Sequence, residues 1–274
     1  MRIGIDLGGT KTEIVALDGE GRERVRRRVA TPQGDYGATV ETIAGLVAMA
    51  ERELGVHASV GIGTPGALSK RTERIKNANS TWLIGKPLRA DLERALEREI
   101  RMTNDANCLA LSEATDGAAS NANVVFGVIL GTGVGGGIAV GARLHDGPNA
   151  IAGEWGHTPL PWMHDDEAPG PACYCGLRGC IETFLCGAAF AREPSLDRYL
   201  DRLARGLAVI ANILDPDAFV LGGGVSNEHA IYVRVPGLMQ RYVFSDAFDT
   251  SIVPAAHGDS SGVRGAAMLW PAHA

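Results

Sequence analysis

The chain has 274 residues, and 26 Lys and Arg against 32 Asp and Glu give a formal charge of −6. That balance argues against a broad nucleic-acid or anionic-membrane surface, and no apolar run approaches the ~18 residues of a membrane span. Apolar residues make up 45% and aromatics 5%, which excludes disordered and fibrous classes. The 36 glycines, about 13% of the chain, exceed the usual ~7% and follow no collagen period, so they belong in turns and close approaches. Five cysteines and a start that reads MRIGIDLGG, with no apolar leader, predict a cytoplasmic protein whose clustered thiols serve a metal or chemistry.

Arg2–Leu7 reads as a strand, 8–11 as a tight glycine turn and 12–17 as a second strand, with 24–29 as a third. Apolar positions recur at helical spacing over Tyr36–Leu54. A buried strand follows at 59–63, then a second helix at 88–100, and Asn104-Asp105 opens a helix over 106–114. The opening pattern then returns: an apolar strand at Val124–Leu130, a glycine-rich turn at 131–137 and a strand at 138–144. This internal repeat argues for two related lobes. A long helix over Leu196–Leu214 stops at Asp215-Pro216. A buried strand at 219–221 runs into Gly222-Gly223-Gly224, and a short helix at 260–270 closes the chain. Alternating strands and helices make the class α/β.

Three glycine loops, at 8–11, 131–137 and 222–224, can approach phosphate through backbone amides. One such loop is most simply a hairpin turn; three at strand ends, one carrying Lys11, lower that reading. Gly131, Gly133 and Gly136 match G-x-G-x-x-G, as do Gly61, Gly63 and Gly66. A dinucleotide fingerprint needs a helix after the glycines, and none is predicted at either place; a P-loop motif is absent.

His157 with Cys173, Cys175 and Cys180 matches a tetrahedral structural zinc site with all four positions filled by protein. The alternative is a chance group of small buried thiols. Cys108 and Cys186 read as core residues. A nucleic-acid-binding knuckle is disfavoured, because 159–179 holds three acidic residues, one Arg and no Lys. Asp6 ends the first strand and can hold Mg²⁺ through water, or simply cap the turn. Asn104 and Asp105 suit a helix N-cap. Glu154 and Glu182 flank the cysteine cluster and, taken singly, are equally surface groups.

Asp6-Leu-Gly-Gly-Thr-Lys11, Asn104-Asp105-Ala-Asn107, Gly131-Thr-Gly133, Gly153-Glu154-x-Gly-His157, Cys173-x-Cys175-Gly-x-x-Gly-Cys180-x-Glu182 and Leu221-Gly-Gly-Gly224 occur in this order. Together they resemble the ROK family of bacterial sugar kinases and repressors, over nearly the whole chain. Lys76-Asn-Ala-Asn-Ser-Thr-Trp-Leu83 and His257-Gly-Asp-Ser-Ser-Gly-Val-Arg-Gly265 look most like its fructokinase or manno(fructo)kinase branch.

The resemblance implies a two-lobed actin-like ATPase (ribonuclease H-like) fold with a zinc knuckle at 157–182. Its lobes would be 1–106 plus 260–274, and 107–259, with ATP and sugar in the cleft. It implies ATP phosphates at Gly9, Thr10, Lys11, Gly131, Thr132 and Gly133, with Asp6 on the metal side and Gly223 and Gly224 against the nucleoside. Asn104, Asp105, Glu154, His157 and Glu182 would hold the sugar, with Gly66 and Asn79 nearby. Asp105 would be the base, and His157 would bind zinc through one nitrogen and donate to a sugar hydroxyl through the other.

The expected activity is ATP- and Mg²⁺-dependent phosphorylation of the 6-hydroxyl of a free hexose, D-fructose or mannose, by a homodimer. The alternatives are a glucokinase or N-acetylhexosamine kinase of the same family, or a non-catalytic sugar sensor. A repressor would need a helix-turn-helix, and the first strand begins at Arg2. Such proteins carry a further helical stretch between the knuckle helix and the long helix, which Phe190-Ala-Arg-Glu-Pro-Ser-Leu196 lacks. The well-matched flanks favour a segment left out of the sequence over a genuine deletion.

Overall fold

A computed structural model describes residues 1–258 and 261–272. The strands β1 (Arg2–Leu7), β2 (Lys11–Leu17) and β3 (Glu23–Ala30) precede the helix α1 (Tyr36–Leu54). Then come β4 (Ser59–Thr64), the short pair β5 (Ala67–Leu68) and β6 (Ile75–Lys76), α2 (Leu88–Leu96), β7 (Ile100–Asn104) and α3 (Asp105–Thr115). A second meander follows, β8 (Val124–Leu130), β9 (Val134–Val140) and β10 (Arg143–Leu144), and after it α4 (Ile181–Leu185), α5 (Gly187–Arg192) and α6 (Leu196–Leu214). The chain closes with β11 (Ala218–Gly222), α7 (Ala230–Met239), β12 (Ser251–Pro254) and α8 (Ser261–Met268). Position 260, expected to open the last helix, lies outside the described residues, as do 259, 273 and 274.

The chain forms two compact units: one of 1–112, 146–151 and the described part of 260–274, the other of 113–145 and the described part of 152–259. The sequence reading draws the boundary at 106 and leaves 146–151 in the second lobe. Two lysines account for the return of that segment. Lys70 Nζ donates to the Gly147 carbonyl at 2.6 Å and Lys76 Nζ to the Asn149 carbonyl at 3.1 Å, holding it beside β5 and β6.

In the first unit the strand order is β3-β2-β1-β4-β7, with β1, β2 and β3 antiparallel and β4 and β7 added in parallel. Ile3, Ile5, Ile14 and Ile62 on the sheet close a core with Ile43 and Val47 of α1. Asp35 starts α1 by accepting from the Ala38 amide at 2.9 Å, and Gly55 ends it in the left-handed region. The helix α8 packs on β1 and β4. A Cβ on its Gly265 would lie 1.8 Å from the Cys108 carbonyl of α3, so only glycine lets these two backbones meet.

The second unit repeats the plan: order β10-β9-β8-β11-β12, an antiparallel meander extended by two parallel strands. The repeat read from the sequence is therefore a repeat of topology. Its core gathers Phe126, Trp155, Phe219 and the Leu200, Leu203 and Leu207 face of α6.

Two expectations are corrected, and one helix goes unread. The helix at 88–100 stops at Leu96, where Glu97 turns left-handed, and 100–104 is strand β7. The turn at 131–137 is only 131–133; the remaining glycines lie within β9. A Cβ on Gly136 would sit 2.6 Å from the Gly153 carbonyl and 2.8 Å from Trp155, so these glycines admit a neighbour rather than bend the chain. The helix α7 goes unread because Pro236 lies inside it.

At the short connection after α5, Ser195 caps α6 through the Arg198 amide at 3.3 Å, and Glu193 accepts from Arg202 Nη1 at 2.5 Å. Phe190 and Tyr199 meet edge to face at 4.8 Å, so the join is closed by its own contacts.

Candidate functional site

In the first unit, the turn between β1 and β2 closes with the Gly8 amide on the Lys11 carbonyl at 2.9 Å, placing Gly9, Thr10 and Lys11 at its tip. The buried Ser80 hydroxyl would be 3.2 Å from a Cβ on Gly9, and it donates to Asn79 Oδ1 at 3.4 Å, so Asn79 belongs beside this turn. Gly66 stands against the same segment, where a Cβ would meet the Lys76 carbonyl at 2.4 Å and the Ala78 amide nitrogen at 2.8 Å.

The capping role expected of Asn104 or Asp105 falls to Asn104, whose Oδ1 accepts from the Asn107 amide at 2.7 Å. Asp105 Oδ1 accepts from the Ala106 amide at 2.8 Å. Asn104 also lines a cavity of about 260 Å³ with Leu68, Lys70, Met102, Asn107 and Asp146. Asp6 is pushed up to about 7, by burial first and then by Asp105 and Glu13, against the pull of Lys11 and Arg28. Carboxylates that repel one another in this way are a donor set that a divalent cation relieves.

In the second unit, the Gly131 amide donates to the Gly133 carbonyl at 3.0 Å, forming the tight turn before β9. The Gly187 amide donates to the Gly131 carbonyl at 2.7 Å. Gly131, Thr132, Gly187, Phe190, Gly224 and Asn227 share a cavity of about 830 Å³. The expected phosphate loop and one of the two expected nucleoside glycines thus line one space, while Gly223 packs its Cα against Leu130 instead. Gly187, Phe190, Asn227 and Glu228 are linings the sequence does not flag, because no motif marks them.

Glu154 and His157 stand at the two ends of a single helical turn, Trp155–His157. Trp155 is buried, meets Phe126 edge to face and donates Nε1–H to the Gly135 carbonyl at 2.9 Å. This anchor sets the turn against β9. Glu182 Oε2 accepts from the Val134 amide at 3.0 Å.

The ligand atoms of His157, Cys173, Cys175 and Cys180 all lie within 4.8 Å of one another. Cys173 Sγ is 3.6 Å from His157 Nδ1, and Cys175 Sγ is 3.6 Å from Cys180 Sγ. Zinc–sulfur bonds of ~2.3 Å in a tetrahedron put sulfurs just under ~4 Å apart, so the spacing fits. Burial and the neighbouring Cys175 and Cys173 sulfurs push Cys180 up to about 12. Cys108 is buried and Cys186 half-buried, both outside the cluster.

The remaining ring nitrogen of His157, Nε2, lies 3.0 Å from the Tyr174 hydroxyl. Burial pushes that phenol up to about 12, helped by the Glu182 and Glu154 carboxylates. No helix among the described residues is long and apolar enough to cross a membrane.

The chain is similar to the N-acetyl-D-glucosamine kinase of Vibrio cholerae, 40% identical over 299 positions, covering 98% of this chain and 99% of that one. Because 98% of 274 residues is about 269, about 30 of those positions have no counterpart here. Among solved structures it resembles a ROK hexokinase from Thermus thermophilus, with TM-score 0.82, 32% identity, and 97% and 96% of the two chains covered. It also resembles a ROK family glucokinase from Streptomyces griseus in complex with glucose and AMPPNP, with TM-score 0.78, 29% identity and 98% of each chain covered.

The N-acetyl-D-glucosamine kinase similarity overturns the fructose or mannose assignment. The stretches that suggested it do other work. His257 pairs with Asp116 at 3.0 Å and its amide donates to Glu113, while Lys76 reaches the Asn149 carbonyl. The ROK family profile matches residues 2–195 and 192–273, two segments that meet where the chain is short. The chain belongs to the ROK family.

Proposed function

We propose that the protein is an ATP-dependent N-acetyl-D-glucosamine kinase that phosphorylates the sugar's 6-hydroxyl. The observation that carries this reading is the 40% identity to such a kinase across 98% of this chain and 99% of that one. The similarity to a sugar kinase whose structure holds glucose and AMPPNP supports a nucleotide and a hexose as the two substrates.

Phosphoryl transfer asks a protein mainly to position reactants and offset charge. Asp105 accepts the proton of the attacking hydroxyl, at a reach of ~2.6–3.2 Å. Amides of the turns at 8–11 and 131–133, with Lys11, hold the phosphates, and Gly224, Asn227 and Phe190 border the nucleoside. Glu154 and Glu182 accept from sugar hydroxyls, and the Asn104 side-chain amide donates to one. Asp6 would hold Mg²⁺ through water, where the cation would offset the charge that builds on the phosphates. His157, Cys173, Cys175 and Cys180 would hold Zn²⁺, which would lock the loop that carries His157 and Glu182.

The test is a coupled ADP-release assay with ATP, Mg²⁺ and a panel of N-acetyl-D-glucosamine, N-acetyl-D-mannosamine, glucose, mannose and fructose. The expected result is a kcat/KM for N-acetyl-D-glucosamine at least about tenfold above every other sugar, the size of one well-placed polar contact or two. A higher kcat/KM for an unmodified hexose overturns the assignment.

A further inference from the structure

The turn at 8–11 is held from one side by a residue that no motif marks. Thr31 directly follows β3 and is buried. Its hydroxyl donates to the Gly8 carbonyl at 2.8 Å, and its amide donates to the Thr10 carbonyl at 3.0 Å. A hydroxyl has one proton to give. The buried Thr12 hydroxyl, 2.8 Å from Thr31 Oγ1, is therefore the donor of that pair, and the Thr31 proton stays on Gly8. Pro32 comes next, and a residue before proline is restricted to extended backbone, which stiffens the segment that carries both donors.

A peptide group is planar and trans, so its N–H and C=O point in opposite directions. The Gly8 carbonyl shares its peptide with the Gly9 amide, and the Thr10 carbonyl shares its peptide with the Lys11 amide. Drawing both carbonyls onto Thr31 therefore turns the Gly9 and Lys11 amides away from Thr31. Thr10 and Lys11 are exposed and Gly9 is half-buried, so a ligand can reach this side of the turn. The Gly8–Gly9 peptide lies between two residues without a Cβ, and the backbone alone does little to choose between this orientation and its reverse. The reverse would aim a carbonyl oxygen, with its partial negative charge, where the Gly9 amide now points. A valine at 31 would fill the same space and keep the amide bond to Thr10. What the hydroxyl adds is its hold on the Gly8–Gly9 peptide.

We propose that Thr31 is a positioning residue for the phosphoryl donor: its hydroxyl holds the Gly8–Gly9 peptide so that the Gly9 amide faces a donor phosphate. Amides turned outward from a glycine turn make an anion-binding concavity. Thr31 itself touches no substrate and acts through the turn. Thr12 stands behind it, because the Thr12 proton occupies Thr31 Oγ1 and leaves the Thr31 proton only the Gly8 carbonyl to meet. The inference rests on the proposed function, in which the turn at 8–11 holds phosphates of ATP.

The experiment uses the full chain. Thr31→Val keeps the β-branch and the main-chain bond to Thr10 and removes only the hydroxyl. KM for ATP is expected to rise about five- to tenfold, the loss of one neutral hydrogen bond, with kcat and the KM for N-acetyl-D-glucosamine within about twofold. Thr31→Ser restores a hydroxyl and should bring the KM for ATP back to within about twofold of the wild type. Adenosine carries no phosphate, so its inhibition constant against ATP should stay within about twofold in Thr31→Val. An unchanged KM for ATP in that variant overturns the inference. So does an adenosine constant that rises in step with the KM for ATP, because the whole nucleotide site is then disturbed and not the phosphate turn. If Thr31→Val does not fold, Thr12→Val decides: it withdraws the support behind the Thr31 hydroxyl and should raise the KM for ATP about threefold, and no rise overturns the inference. A wild type that phosphorylates no sugar from ATP defeats the functional reading itself; an active wild type matched by Thr31→Val defeats the inference alone.

Discussion

Glu182 Oε2 accepts a hydrogen bond from the Val134 amide at 3.0 Å, so the helix that follows the cysteine cluster is tied to the first residue of β9, immediately after the turn at 131–133. On the proposed function, one carboxylate would serve two neighbourhoods: the sugar through its remaining lone pairs and the phosphate turn through the backbone. Glu182→Ala leaves the Val134 amide without that partner and should raise KM for both ATP and sugar by about tenfold. Glu182→Gln keeps an acceptor for Val134 and should hold the KM for ATP within about twofold while the sugar KM rises. Two-substrate initial rates separate the cases, and equal effects of both variants on ATP would contradict the tie.

Asp105 opens α3 beside Asn104, which does the capping. Replacing the Asp105 carboxylate therefore leaves the helix cap in place. Asp105→Asn should lower kcat by about 10²–10⁴ and leave sugar binding by calorimetry nearly unchanged. Wild-type-like turnover in that variant would remove Asp105 from its role.

The Asp6 carboxyl, ordinarily near 3.8, is pushed up to about 7 by burial, Asp105 and Glu13. A raised acid binds its proton more tightly folded than unfolded. Its stabilising contribution is thus complete below about pH 4 and is lost as pH rises through about 7. Without Mg²⁺, the unfolding free energy from urea titrations should fall over that window by an amount on the order of 2 kcal/mol, discounted for partial exposure. Asp6→Asn should flatten this part of the profile, and added Mg²⁺ should restore stability above pH 7 in the wild type only.

Glu167 is fully buried and binds Arg205 Nη1 at 2.9 Å and Arg202 Nε at 2.8 Å, tying the loop before the cysteines to α6. Burial opposes ionisation there, but the two guanidinium hydrogen bonds and the His164 amide prevail and hold the carboxyl down at about 2. For a lowered acid the contribution is present above about pH 4.5 and is lost as pH falls through about 2. Glu167→Ala removes a charge partner of both Arg202 and the buried Arg205, which keeps Asp201 at 2.9 Å, and should cost about 3 kcal/mol in urea unfolding at pH 7. A loss below about 1 kcal/mol would show that the clamp is not a stabilising element.

Much of the fold is legible in the residues because the two meanders repeat their own pattern. Arg2–Leu7 with Lys11–Leu17, and Val124–Leu130 with Val134–Val140, each alternate a buried strand with a glycine turn. The strand at 100–104 is missed, since Ile100 continues the apolar spacing of the helix before it and only the left-handed Glu97 breaks the run. The glycines of β9 mislead for a similar reason: glycine marks a bend or a close neighbour, and only the packing of Gly153 and Trp155 tells which.

The sequence by itself determined the α/β class, the family, the metal-type donor set and the acidic residue beside Asn104, because these rest on residue identity and short spacing. Tertiary structure decided which group meets which: Glu182 with Val134, Phe190 with the glycine-lined cavity, and Tyr174 with the second nitrogen of His157. The adjacency of Tyr174 to Cys173 is plain in the chain, but whether its hydroxyl faces solvent or His157 depends on a rotamer set by the closed loop. The choice of hexose lies in the same class. It depends on the shape left between side chains, which no spacing along the chain records.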